Sequence, residues 1–267
     1  IDEKLEVAEV KVQKVKDNVT EAHADDAEIR KKKCIFMFIV SVVVVMAIIY
    51  ILMGFVADFV AMRVSEKTEA SIFGPADVTF LQTDSAPPEF KLAEKTFNQL
   101  IRSSNLRPLP YHLEYLDETM PNAFAVPGGG VIITRGLLNM VTNQTALAFV
   151  LGHELGHHQH RHTLQGIGRK LLVKLVFNFL FGSSTGDAVS GTLTLAELEH
   201  SRLNERQADA FGFRLAYSRY GDAEGYLDFF EKLCAEQEDS GSHWLKFMNS
   251  HPPTVERLVE LKRLRKQ

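Results

Sequence analysis

The sequence predicts an α+β chain, mainly α, with a small antiparallel β-sheet, preceded by one transmembrane helix. Three observations carry this reading. From Cys34 to Ala57 the chain runs CIFMFIVSVVVVMAIIYILMGFVA without a charge; as a helix this is roughly 36 Å, enough to cross a hydrocarbon core of about 30 Å. Beyond Arg135 almost every apolar residue recurs with helical period. Between Tyr111 and Thr134, short β-rich runs surround Gly128-Gly129-Gly130, the pattern of strands about a glycine turn. The 267 residues, 45 % hydrophobic and 24 % charged, have the balance of a globular protein rather than a disordered or disulfide-dense one. Thirty Lys+Arg against 34 Asp+Glu gives a net charge of −4, the wrong sign for gripping phosphates, so no nucleic acid is expected as a partner.

Residues 1–33 read as a charged N-terminal tail. In it Ile1, Leu5, Ala8, Val12, Val15, Val19 and Ala22 alternate in steps of four and three, a heptad seam. Two forms fit: a short coiled coil that engages a partner, and a solvated, partly helical tail, because alanine and valine make a weak seam. A coiled-coil or membrane-protein partner through residues 1–57 is one expectation.

Residues 34–57 read as a transmembrane signal anchor, since a long polar stretch precedes them and their apolar core exceeds that of a cleaved signal peptide. Lys14, Lys16, Arg30, Lys31, Lys32 and Lys33 precede the run, against Arg63 and Lys67 after it. The positive-inside rule then puts the N-terminus in the cytoplasm and the following domain on the periplasmic or equivalent outer side of a single-pass membrane protein. Cys34 and Cys234 would lie on opposite faces of the bilayer, so no disulfide joins them.

Residues 58–87, of mixed charge and punctuated by Gly74-Pro75 and Pro87-Pro88, read as a linker. The domain of residues 88–267 opens with a helix in which Phe90, Leu92, Ala93, Phe97, Leu100 and Ile101 share a face. Strands follow at Tyr111–Leu116, Asn122–Pro127 and Val131–Thr134. A helix capped at Asn143 runs through Ala146, Leu147, Phe149, Val150 and Leu151 into His153-Glu154-Leu155-Gly156-His157. Leu171 to Phe181, LLVKLVFNFLF, is too short to span at about 16 Å. It is either a buried helix or one resting on the bilayer surface, and the core is the preferred placement. Gly182 to Gly186 reads as a flexible loop suited to a lid.

Four residues apart on a helix, His153 and His157 project from one face and both imidazoles can reach a single ion, while Glu154, about 100° round, can hold a water bound to it. This is the arrangement of one catalytic Zn2+ per chain. A structural site would close the metal with protein ligands and leave no reason for a base beside it. A metzincin would need Gly at 160 and His at 163, where this chain has His160 and Thr163. The alternative third ligand is a glutamate from a second helix, and Glu205 offers it, with Asp209 one turn on to accept a hydrogen bond from a ligand imidazole. His158, His160 and His162 are read as satisfied or solvent-exposed.

Asn122 to Gly129, Thr134-Arg135-Gly136-Leu137-Leu138, the His153–His157 motif, Ser201-Arg202 leading to Glu205 and Asp209, and His251-Pro252-Pro253-Thr254 with Arg257 occur in an order that resembles the HtpX-like membrane-associated zinc metallopeptidases. That family includes the CAAX prenyl protease type, the mitochondrial Oma type and periplasmic outer-membrane-assembly peptidases. The resemblance covers roughly residues 88 to 262; it departs in having one clear anchor instead of several spans and no tetratricopeptide repeats after the domain.

The resemblance implies a zincin-like metallopeptidase domain in which His153, His157 and Glu205 bind zinc and Glu154 is the general base. It implies that His251 lies near the metal, as oxyanion stabiliser or as occupant of the open position in a latent state, and that Arg257 supports the site through acidic groups. It also implies that Asn122, Ala123, Phe124 and Ala125 form an edge strand that holds substrate backbone, although an ordinary hairpin strand accounts for the same residues. The expected function is a membrane-anchored zinc-dependent metalloendopeptidase that cuts misfolded or misassembled membrane or exported proteins, in protein quality control. The alternatives are a chaperone-like or latent client-binding module that retains the zinc site, and a structural zinc protein. A prenylated substrate is disfavoured, because one anchor offers no multi-span chamber for a lipid tail.

Overall fold

In a computed structural model the chain divides into two units, residues 1–54 and residues 55–267. The structure describes residues 2–74, 87–141, 143–181, 202–221, 224–237, 251 and 254–266. The side chains of the tail's heptad seam and the expected lid at 182–186 lie outside the described residues.

The first unit is helical: it is the part of α1 (Asp2–Arg63) that ends at Gly54. From Arg30 to Arg63 this helix is long and apolar enough to cross a membrane. Every residue from Ile35 to Leu52 is exposed, an apolar surface far larger than water tolerates but one that acyl chains solvate.

In the second unit, the stretch expected as a linker contains the end of α1 and a further helix, α2 (Glu66–Phe73), while residues 75–86 lie outside the described residues. Ser65 caps α2, its hydroxyl accepting the Thr68 N–H at 3.1 Å. Hydrophobic period gave no sign of α2 because charge, not an apolar face, fastens it. Glu69 is 1 % exposed, and its carboxylate accepts from Arg107 Nη2 at 2.6 Å and from the Gly128 N–H at 3.3 Å. Arg107 also donates to the His158 carbonyl at 2.8 Å, tying α2 to the helix that carries the His motif.

Helix α3 (Pro88–Arg102) buries Phe90, Ala93, Phe97 and Leu100 of the apolar residues its spacing singled out, whereas Ile101 is half-buried and Leu92 is exposed. The sheet has three strands, β1 (His112–Leu116), β2 (Ala123–Val126) and β3 (Gly130–Thr134), in the order β1-β3-β2. Strands β2 and β3 form the expected antiparallel hairpin, with Gly128 and Gly129 at φ 89° and 102°, where a Cβ would be strained. The expected antiparallel sheet is corrected to a mixed one, because β1 pairs with β3 in parallel. Alternation marks strands but not partners: after β1 the chain passes the end of β3 and returns on its far side as β2. Thr134 pins that crossing, its hydroxyl accepting the Asn122 N–H at 2.8 Å and donating to the Met120 carbonyl at 2.8 Å.

Among the described residues, four of the remaining helices surround the site, α5 (Gln144–Gln159), α6 (His162–Phe181), α7 (Arg202–Tyr220) and α9 (Val255–Leu264), and α4 (Arg135–Met140) and α8 (Glu224–Gln237) accompany them. Helix α5 is central, buried on every side from Thr145 to His158, as befits a helix enclosed by others. Phe97, Leu100, Ile133, Leu137, Leu151, Leu155, Tyr226 and Leu261 form the most enclosed part of the core. Against the core placement preferred for Leu171–Phe181, Leu171 and Leu175 are exposed, and the side chains of residues 173 and 176–181 lie outside the described residues.

Candidate metal centre

The site begins with the cap of α5. Asn143 Oδ1 accepts the N–H groups of Thr145 at 2.7 Å and Ala146 at 3.4 Å, fixing where the helix starts and hence which face His153 and His157 occupy. Helix α7 crosses that face in backbone contact. A Cβ on Gly212 would fall 2.6 Å from the His153 nitrogen, and one on Gly156 would fall 2.9 Å from Ala208 Cα. Small residues four apart on each helix, Gly152 and Gly156 facing Ala208 and Gly212, bring the axes this close. Glu205 and Asp209 thereby reach the two histidines.

Four ligand-type atoms converge, from His153, His157, Glu205 and His251, all buried and within 4.8 Å of one another. His153 Nε2 is 3.0 Å from His157 Nε2 and 3.2 Å from His251 Nδ1. The Glu205 oxygens lie 3.5 Å from each of His153 Nε2 and His157 Nε2, and 3.2 Å from His251 Nδ1. Around them Arg257 makes a two-pronged pair with Asp209, both bonds 2.7 Å, and reaches Glu205 at 2.9 Å. Asp209 Oδ1 in turn accepts from His153 Nδ1 at 2.9 Å.

The donor set tests whether a metal fits. With His153 Nδ1–H given to Asp209, its Nε2 carries a bare lone pair into the cluster. His157 reaches the same state by a second route: Gln207 Oε1 accepts from His162 Nε2 at 2.9 Å, so His162 Nδ1 accepts from His157 Nδ1 at 3.0 Å and leaves His157 Nε2 bare. Burial keeps His162 neutral by lowering its pKa to about 4. Lone pairs and a carboxylate packed this closely in a buried spot require a cation. The pull is visible on His153: burial alone would lower its pKa, yet the charge of Glu205 and the hydrogen bond to Asp209 lift it to about 10. Two imidazole nitrogens, a carboxylate and a third imidazole are a zinc-type donor set. Residues 88–265 match Peptidase family M48, two thirds of the chain and all of these residues.

The chain belongs to peptidase family M48. Among its relatives, the mitochondrial metalloendopeptidase OMA1 of Schizosaccharomyces pombe is 27 % identical over 180 residues, 65 % of this chain and 52 % of that protein. The beta-barrel assembly-enhancing protease of Yersinia pestis is 28 % identical over 176 residues, 61 % of this chain and 36 % of its own length. The protease HtpX homolog of Thermoplasma acidophilum is 30 % identical over 160 residues, 56 % and 47 % of the two chains. The chain spans about half or less of the length of these relatives.

In this M48 domain Glu154 is 1 % exposed and its carboxylate makes no well-formed hydrogen bond; the Ala125 backbone N–H and His251 Nε2, 3.6 Å from Oε1, are among its polar neighbours. Burial raises its pKa above the usual carboxylate value, with the nearby His251 and His153 opposing. Such an acceptor, beside a metal site, fits a water molecule as its partner. Strand β2 lies alongside. Its residues Ala123, Ala125 and Asn122 are buried and Phe124 is half-buried. Thr134 N–H bonds the Asn122 carbonyl, so by antiparallel alternation Ala123 and Ala125 turn their main-chain groups to the sheet edge away from β3, which is buried in this structure.

Every residue singled out in the M48 sequence as ligand, base or support thus falls in one buried cluster, with the β2 edge beside it. Sequence reasoning missed His162, read as a bystander, because it follows a chain reversal at Arg161, φ 61°, that no helical spacing anticipates. It also passed over the Gly152, Gly156, Ala208 and Gly212 stripe, which its four-residue spacing would have revealed.

Proposed function

We propose that this M48 chain is a membrane-anchored zinc metalloendopeptidase. The observation that carries the reading is the buried His153, His157, Glu205 and His251 quartet with the buried Glu154 carboxylate beside it. His153, His157 and Glu205 would hold the ion, Asp209 and Arg257 would orient His153 and Glu205, and His162 would orient His157. When bound, zinc supplies Lewis acidity toward a peptide carbonyl and toward water. Glu154, its affinity for a proton raised by burial, takes the proton from the attacking water and passes it to the leaving amine. His251 Nε2, facing Glu154, is placed to stabilise charge that develops on the carbonyl oxygen. An extended substrate would add along β2 through the main-chain groups of Ala123 and Ala125 once that buried edge is uncovered, a mode that makes little demand on side-chain identity.

Broad selectivity, an anchor and relatives named for mitochondria and for β-barrel assembly support membrane and exported proteins that have misfolded or misassembled as substrates, with cleavage serving quality control. The cationic flank of α1 supports a cytoplasmic N-terminus and a catalytic domain on the periplasmic or outer side. One observation favours a second reading. His251 Nδ1 stands as close to Glu205 and His153 as a fourth donor, and four protein donors would leave no open position, as in a latent, client-binding form.

The test is purified full chain in detergent with zinc and unfolded casein, beside Glu154→Gln and His251→Ala. Cleavage by the parent and not by Glu154→Gln is expected. Equal inactivity of parent and Glu154→Gln with zinc bound would support the client-binding form, and a gain of activity in His251→Ala would identify His251 as its plug. Protease accessibility of the domain in sealed spheroplasts decides its side.

A further inference from the structure

Helix α6 reverses out of α5 at Arg161 and runs antiparallel to the last turns of α1. The contacts give the register. Arg161 Nη1 donates to the carbonyls of Val64 and Ala61. Seven residues on, a Cβ at Gly168 would touch the Cβ of Ala57 at 3.6 Å, and Arg169 makes a two-pronged pair with Asp58. As α6 advances, its partners on α1 step back toward the apolar run. Beyond Arg169, α6 therefore runs alongside the part of α1 that begins the second unit at Phe55.

What it carries there is apolar and uncovered. Leu171 is 44 % and Leu175 63 % exposed, and beside them on α1 Phe55, Val56, Phe59 and Val60 are each more than half exposed. Between the two helices lies a slot of about 240 Å³ lined entirely by apolar side chains and Gly168, among them Val56, Val60, Leu164, Ile167 and Leu172. The exposed apolar surface of α1 continues to Met62. Phe55, where the second unit begins, directly follows the apolar run of the first, so by chain connection alone this face starts at the C-terminal end of that run, next to the interfacial layer where amphipathic faces insert. Arg63 lies over the ring of Phe59, and Arg169, paired with Asp58, is followed on α6 by Lys170 and Lys174. Cations on long stems beside an apolar surface suit anionic headgroups above acyl chains.

We propose that this face is seated in the bilayer leaflet at the C-terminal end of the α1 span, with a phospholipid acyl chain in the slot between α1 and α6 and further chains covering Leu171 and Leu175. The inference rests on α1 spanning the bilayer and is independent of the peptidase reading. The leaflet then braces α6, which begins at His162 beside the ligand His157, and the metal centre is held at a fixed height above the surface.

The test uses the full chain in phosphatidylcholine vesicles containing phosphatidylglycerol. In a Cys34→Ser, Cys234→Ser background, a spin label at Leu175→Cys is expected to collide more with oxygen than with a water-soluble nickel chelate, as at Val44→Cys in the span. Chelate access equal to that at Leu92→Cys on α3 would overturn the seat. Spectral broadening that grows with protein density would overturn it too, assigning the face to a second copy. Gly168→Leu, which fills the slot from a position with room for a Cβ, is expected to remove part of the motionally restricted signal of a spin-labelled phospholipid without lowering the Tm. A restricted signal equal to that of the parent would overturn the acyl-chain slot.

Discussion

His157 Nδ1 lies 3.0 Å from His162 Nδ1, and this contact decides which nitrogen of His157 is bare. Replacing His162 by Phe keeps a ring in place but removes the acceptor. His157 Nδ1 then loses this acceptor, and zinc affinity should fall about 10- to 100-fold, as for other groups that orient a ligand. Competition against a chromophoric chelator measures it; unchanged affinity would show that His157 is oriented from elsewhere.

At the crossing of α5 and α7, Gly212 leaves no space. In Gly212→Val the Cβ would stand 2.6 Å from the His153 nitrogen, which is backbone and cannot turn aside. The helices must separate, at a cost of about 1–3 kcal/mol, and Glu205 and Asp209 move away from the histidines. Lower Tm together with substoichiometric zinc is expected; full zinc occupancy would mean that the donor cluster tolerates a wider crossing.

Glu69 fastens the juxtamembrane helix α2 to the turn that follows β2. Glu69→Gln removes one charge of a buried pair and should destabilise the protein by about 3 kcal/mol, the low end for such a loss because Arg107 keeps Glu66 and the His158 carbonyl. The Gly128 turn loosens with it, so KM for an unstructured peptide should rise more than kcat falls. Urea unfolding and steady-state kinetics separate the two effects.

His112 titrates high, first because its Nε2 is hydrogen-bonded to Glu114 at 3.0 Å. A raised folded-state pKa means that the protonated pair stabilises fully below the unfolded value of about 6.5, and that this contribution is lost as pH rises through the folded value. The pair is partly solvated, so the change should be about 0.5 kcal/mol or less. An NMR titration of His112 in parent and Glu114→Gln checks it: the variant's pKa should move back toward the ordinary value.

Local patterns revealed much of this. The α1 span is legible because a bilayer demands an unbroken apolar run, and α3 because one face is apolar at helical spacing. His153, Glu154 and His157 are legible because a single helix turn holds them. Glu205 and Asp209 were reached by excluding the metzincin pattern and looking for a carboxylate pair one turn apart on a second helix, whereas His251 and Arg257 were located through resemblance and the order of motifs, since nothing local marks them. Helix α2 was hidden because buried charge pairs, rather than apolar period, hold it. The pairing of β1 was hidden because alternation is indifferent to strand direction.

The sequence by itself determined the anchor, the His motif and its chemistry, and the helices and hairpin that carry them, because these depend on residues near one another along the chain. The tertiary structure alone decided that α5 and α7 touch backbone to backbone, that His162 sets the tautomer of His157, and that α6 turns back along α1. These depend on close approach between distant segments, where one added methyl or one reversed φ changes the outcome.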